Sequence, residues 1–190
     1  MKKEKPKQSS AEKILRQIEK LAQLESLPII GPDRGKILAD EVRRAKPLHV
    51  LEVGTLVGYS TILVVKELDK DAEVVTVEIN SNAAKAVEEN IEKADIPPKV
   101  TIIVGDAIEV IPTLNGPFDF AFIDAKKNDY LRYLKLAESK FHSGTVVAAD
   151  NAGFRAEQMS DYLDYVRNSG NYGSRYLQVE DDGLEISVRI

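Results

Sequence analysis

The chain has 190 residues, 43% of them hydrophobic, which is ample for one globular core and too few for two ordinary domains. Its formal charge of -5 and lack of a long basic block argue against a large nucleic-acid footprint, and the absence of cysteine excludes disulfides, thiolate catalysis and zinc-thiolate sites. No apolar run reaches the length of a membrane span and the lysine-rich start lacks a secretory apolar stretch, so a cytoplasmic protein without membrane contact is expected.

Residues 1–9 read as a flexible tail, since Lys2-Lys3-Glu4-Lys5-Pro6-Lys7 offers nothing to bury, and 10–190 read as the single domain. Ser10 is the expected cap of a helix over 11–24, where Ile14, Leu15, Ile18, Leu21 and Ala22 form one apolar stripe. A break at Pro28 to Pro32 precedes a second helix over 33–45. Strand and helix then alternate: strand 48–53, helix 58–68, strand 73–79, helix 81–93, strand 99–104, short helix 106–113, strand 118–123, helix 129–139, strand 144–149, helix 156–168. Such alternation predicts a parallel sheet between helix layers, and the runs 74–77, 100–104 and 118–123 read as apolar on both faces. Two last strands, 175–179 and 184–190, are joined by four residues only and must form an antiparallel hairpin.

Chemistry gathers where these strands end. Gly54 and Gly58 lie in a strand-to-helix turn, where missing side chains let the backbone approach a ligand; a tight turn with no ligand is the bland alternative. Glu78 ends the next strand, where a carboxylate accepts hydrogen bonds from a ribose diol. Asp106 with Ala107 either reads an adenine edge or caps the short helix, and both can hold. Asp124, Asp150 and Asn151 supply two carboxylates and an amide carbonyl at the ends of two further strands, a hard ligand set suited to Mg²⁺, with Lys127 beside them.

The run Leu51-Glu52-Val53-Gly54 to Gly58-Tyr59-Ser60, with Val77-Glu78, Gly105-Asp106-Ala107, Asp124-x-x-Lys127-x-x-Tyr130 and Asp150-Asn151, resembles the catechol O-methyltransferase-like family of class I S-adenosylmethionine methyltransferases. The resemblance runs from about Leu27 to the C-terminus. It implies a Rossmann-like α/β three-layer sandwich, with a seven-stranded, mostly parallel sheet of order 3-2-1-4-5-7-6 and an antiparallel final hairpin. It further implies that Ser60 and the backbone near Ile30 hold the methionine carboxylate of S-adenosylmethionine, and Glu78 the ribose. Asp106 and Ala107 would flank the adenine, Glu52 and Gly54 would line the cofactor's middle, and Asp124 would touch both cofactor and metal. Asp124, Asp150 and Asn151 become ligands of Mg²⁺, or of Mn²⁺ or Ca²⁺ in its place, and Lys127 the general base. Relatives with an added N-terminal helix imply a homodimer.

The chemistry is coherent with those roles. A phenol has an unperturbed pKa of about 10 and lysine of about 10.4, so both need a nearby positive charge before the one ionises and the other serves as a base near neutrality. A divalent cation chelated by two adjacent hydroxyls does that, and fixes the angle for in-line displacement. Two departures bear on the acceptor: the mammalian catechol enzymes have tryptophans around the substrate cleft, whereas this chain has none and carries Lys126 before the base, and the acidic residue that orients the second hydroxyl falls near Tyr176. The expected activity is methyl transfer to a small catechol-like or vicinal-diol aromatic. The alternatives are a hydroxyuridine of transfer RNA, with Lys126, Arg43 and Arg44 on phosphates, a nicotinamide-dependent oxidoreductase, and a cofactor-binding protein without turnover.

Overall fold

Strands β1 (His49–Val53), β2 (Glu73–Glu78), β3 (Lys99–Val104), β4 (Phe118–Ile123), β5 (Phe141–Asp150), β6 (Tyr172–Val179) and β7 (Asp182–Arg189) make one sheet in a computed structural model that describes residues 9–190. Their order is 3-2-1-4-5-7-6, as the resemblance implies; β3, β2, β1, β4 and β5 run parallel, and β7 pairs antiparallel with both β5 and β6. All but the last residue of the expected flexible tail lies outside the described residues.

Side chains of a strand point alternately to the two faces, so each central strand feeds two cores. Val50, Phe120, Phe122 and Ala148 join a cluster on one face with α1 (Ser10–Glu25), α2 (Gly31–Ala45) and α3 (Tyr59–Val65). Leu51, Val53, Ala121, Ile123, Val147 and Ala149 join a cluster on the other with α5 (Ala107–Val110), α6 (Tyr130–Ala137) and α7 (Ser160–Asn168). Helix α4 (Ser81–Ala94) packs beside α1 and covers part of β2 and β3. Burying one such Leu, Phe or Val side chain stabilises the fold by about 1.5–3 kcal/mol.

Several expected boundaries move. Ser9, not Ser10, caps α1: its hydroxyl accepts from Glu12 N while Glu12 reaches back to Ser9 N, a reciprocal capping box. Helix α2 starts two residues before 33, with Pro32 in its first turn, where a missing N–H costs nothing. The segment expected as helix 129–139 divides into a 3-10 turn at Lys127–Asp129, α6 and a second 3-10 turn at Glu138–Lys140. Strand β5 begins three residues before 144 and β6 three before 175. Finally, β3 is not sandwiched: as an edge strand its residues are only partly covered, and Val104 is 53% exposed.

Candidate active site

At the carboxyl ends of β1, β2, β4 and β5 lies a cavity of about 870 Å³, where the crossovers of a parallel sheet diverge. Ile30, Gly54, Ser60, Glu78, Asp106, Ala107, Asp124, Lys127, Asp150 and Asn151 all line it. The strand ends thus bring together ten of the eleven residues given a cofactor, metal or catalytic role by the resemblance.

Glu52 is the exception. Its side chain is buried beneath the wall, where Oε1 accepts from Ser60 Oγ (2.7 Å) and Oε2 from Thr61 Oγ1 (2.6 Å) and Thr76 Oγ1 (2.7 Å). Burial pushes its carboxyl up, and the hydroxyls pull against that. Glu52 therefore ties β1 to β2 and α3 instead of lining the cofactor's middle, and Ser60 reaches the cavity with its hydroxyl proton already committed.

The glycine turn also has structural causes. Gly54 has φ +90°, and a Cβ there would collide with the carbonyl of Asp124 across the β1–β4 pair. Gly58, at φ +84°, lets α3 begin against Val87 of α4. Glu78 holds the turn in place: Oε2 accepts from Thr55 N (3.1 Å), Thr55 Oγ1 (3.1 Å) and Leu56 N (2.9 Å), and Oε1 from Asn80 N (2.9 Å). Oε1 keeps a lone pair for a ligand on the cavity side. Asp106 caps α5 through Ile108 N (2.9 Å) while lining the cavity, so both of its readings are compatible.

At the other end, Lys127 rises from its 3-10 turn to donate to Asp124 Oδ1 (2.8 Å) and to Tyr130 Oη (2.7 Å). Burial, then the charges of Asp124 and Asp150, push the Tyr130 hydroxyl far up, so it stays protonated. Asp150 is 1% exposed, and burial followed by the charge of Asp124 pushes its carboxyl up to about 7, against the pull of Arg34, the Asn151 amide and Lys127.

Two partners in this corner have no motif in the sequence. Arg34, from α2, places Nη1 2.9 Å from Asp150 Oδ1 and 2.6 Å from Asp182 Oδ2. Asp182, at the start of β7, also accepts from Asn151 Nδ2 (2.7 Å) and from the amides of Gly153 (3.1 Å) and Phe154 (3.0 Å). Because the Asn151 nitrogen is spent on Asp182, its amide oxygen is left for the cavity. Two mutually repelling carboxylates, Asp150 buried and Asp124 partly buried, beside that oxygen fit a hard divalent cation. No group of three or more His, Cys, Asp or Glu suited to a metal occurs among the described residues.

Other expected contacts are absent. Arg43 pairs with Asp40 (2.6 Å) and Glu67 (2.8 Å), and Arg44 with Glu41 (2.7 Å), all away from the cavity. Tyr176 lies against Gly153 and Gly183, off the cavity wall.

Comparison with known proteins agrees with this fold. The sequence profile of the family described as O-methyltransferase matches residues 5–168. Catechol O-methyltransferase B of Danio rerio is 36% identical over 172 residues, covering 84% of this chain and 64% of that protein. The catechol O-methyltransferase of Niastella koreensis is 36% identical over 126 residues, covering 64% of this chain and 57% of its own length. The chain thus spans less than two thirds of the length of these relatives. The crystal structure of the O-methyltransferase from Bacillus cereus in complex with SAH superposes with a TM-score of 0.85 at 26% identity, covering 94% of this chain and 91% of the other. Since the family profile spans most of the sequence and the sheet has the strand order the motifs imply, this chain belongs to the O-methyltransferase family.

Proposed function

We propose that the protein transfers a methyl group from S-adenosylmethionine to one hydroxyl of a small catechol-like or vicinal-diol aromatic. The observation that carries this is the single cavity with Glu78 and Asp106 at one end and Asp124, Lys127, Asp150 and Asn151 at the other. Its volume suits a donor and a small acceptor side by side. The names of the relatives and the SAH complex of the Bacillus cereus structure support the same chemistry.

Asp124, Asp150 and Asn151 would hold Mg²⁺ or a similar cation. When bound, such an ion supplies the positive charge that acidifies chelating hydroxyls and fixes their orientation. Glu78 would receive the ribose through the open lone pair of Oε1, and Asp106 with Ala107 would border the adenine. To act as the base, Lys127 would have to enter the reaction as the neutral amine, its proton already given to solvent, with Asp124 free to help hold the cation together with Asp150 and Asn151. The acceptor's hydroxyl proton then passes to Lys127 Nζ, its oxygen lone pair forms the new O–CH₃ bond, and the C–S bond of the donor breaks to leave S-adenosylhomocysteine. Tyr130 Oη, still protonated, keeps Nζ aimed at the cavity throughout.

The test is label transfer from methyl-labelled S-adenosylmethionine to a panel of catechols, caffeoyl compounds and unmodified transfer RNA. Label on the diols with Mg²⁺, abolished by EDTA, is the expected result. Label on RNA alone, or NADH binding in place of S-adenosylmethionine, overturns the proposal.

A further inference from the structure

Five cations line the cavity: Arg34, Lys126, Lys127, Arg132 and Arg155. Three are paired within it, Arg34 with Asp150 and Asp182, Lys126 with Asp129 (2.8 Å) and Lys127 with Asp124. Arg132, on α6 next to Tyr133, has no ion pair among the described residues. Arg155 belongs to the reacting end: its amide donates to the carbonyl of Asn151 (3.0 Å), and its side chain makes no hydrogen bond or ion pair among the described residues. Its guanidinium lies over the ring of Phe154, 4.8 Å from the centroid.

Phe154 is itself out of place for a large apolar side chain. It is 68% exposed and lines the cavity, and its backbone amide donates to Asp182 (3.0 Å), which fixes the main chain that carries the ring. A guanidinium over such a ring still has its N–H donors free, and these can receive a carboxylate. Beyond Phe154 a second recess of about 310 Å³ is edged by Asp33, Glu180 and Asp181, and repels an anion. An anionic substituent is thereby directed to the Arg155 side.

We propose that Phe154 and Arg155 form an acceptor subsite that selects a planar aromatic diol bearing a carboxylate, in preference to a neutral or amine-bearing diol. This inference rests on the catechol-type reading above. It makes Arg155 a specificity residue that contacts the acceptor's substituent and takes no part in moving the proton.

The experiment measures kcat/KM at saturating S-adenosylmethionine and Mg²⁺ for 3,4-dihydroxybenzoate, 4-methylcatechol and dopamine. The carboxylate should lead the neutral diol by about tenfold, the effect of one exposed charge-assisted contact, with dopamine last. Arg155→Ala should collapse the carboxylate-to-neutral ratio to near one, chiefly through KM, Arg155→Lys should restore part of it, and Arg155→Glu should move the preference to dopamine. Equal rates on all three diols in the wild type, a preference for dopamine, or a ratio unmoved by Arg155→Ala overturns the subsite while the parent reading stands, since diols are still methylated. Methylation of none of the three overturns the parent reading; calorimetry of 3,4-dihydroxybenzoate against 4-methylcatechol then decides the subsite, and equal affinities refute it.

Discussion

Tyr130 explains how a lysine on a turn of three residues can be held ready for chemistry. Its hydroxyl, 2.7 Å from Lys127 Nζ, and its ring, 5.0 Å away, fix the ammonium from below, while Asp124 competes for it from the side. Lys127→Ala should lower turnover by about 10² to 10⁴, with Mg²⁺ and S-adenosylhomocysteine affinities near wild type and a milder loss at high pH, where the chelated hydroxyl ionises unaided. Full activity of this variant near neutrality in steady-state assays would show that Lys127 is a structural lysine. Asp182 makes a second prediction at this scale, because it orients Asn151 and shares Arg34 with Asp150. Asp182→Asn keeps the volume but weakens the bonds to Arg34 and to the amides. Mn²⁺ affinity, read by electron paramagnetic resonance titration, should fall about 10- to 100-fold, the usual range for a residue supporting metal ligands. Unchanged Mn²⁺ affinity would separate Asp182 from the metal corner. Neither Asp182 nor Arg34 was legible in the sequence, since the contacts that define them span 31, 116 and 148 positions and fit no local spacing rule. Glu52 was given its place on the cofactor by the family resemblance alone, which says nothing of its partners, although Ser60 and Thr61 after the glycine turn, and Thr76 directly opposite Glu52 in the β1–β2 register, supply them.

The elements that follow a clear period were readable, and those set by tertiary contacts were not. Strands β1, β2 and β4 have apolar runs bounded by turn residues, and their expected limits hold to within a residue. The early start of β5 depends on pairing Phe141 with Phe118 ahead of an irregularity, which no propensity announces. The same corner contains a titrating clamp. Asp119 accepts from the amides of Leu48 and His49, and its other oxygen meets His142 Nε2 at 2.9 Å, while His142 Nδ1 meets the carbonyl of Ser143 at 2.7 Å. Both ring nitrogens face acceptors, which only the protonated ring satisfies, so the Ser143 carbonyl and then Asp119 raise the His142 pKa above its ordinary 6.5. A raised folded value means that the native state binds the proton more tightly than the unfolded chain. The stabilisation is therefore complete below pH 6.5 and is lost as pH rises through the raised value. In thermal melts across that range, the gap in Tm between wild type and His142→Ala should be widest at low pH and close as the pH rises. A gap independent of pH would mean that His142 acts by packing alone.

At the scale of the whole molecule, the question is what the first helix covers. Its amphipathic stripe was visible in the sequence, but whether that stripe meets the sheet domain or a second chain was not, because periodicity gives a face and not a partner. In the structure Ala11, Ile14, Leu15 and Ile18 are buried in the same core as α2 and α3, and α1 packs along α4. Tyr59 then joins this cover to the cavity: it lines the wall, and its hydroxyl donates to Glu19 Oε1 at 2.6 Å. Most of the apolar face of α1 is thus used within the chain, while Leu21 and Leu24 at its C-terminal end stay exposed. Ile18 is 3% exposed, and Ile18→Ala should cost about 2–5 kcal/mol, the range for truncating a core isoleucine. Because α1 reaches the cavity wall through Tyr59, the same variant should also weaken S-adenosylhomocysteine binding near its lowered melting temperature, where α1 loosens first. Light scattering during chromatography supplies the control, since an internal cover lowers stability without changing the measured mass. If Ile18→Ala instead halves the mass at unchanged stability, the stripe is an interface between two chains and the packing on α4 does not describe the protein in solution.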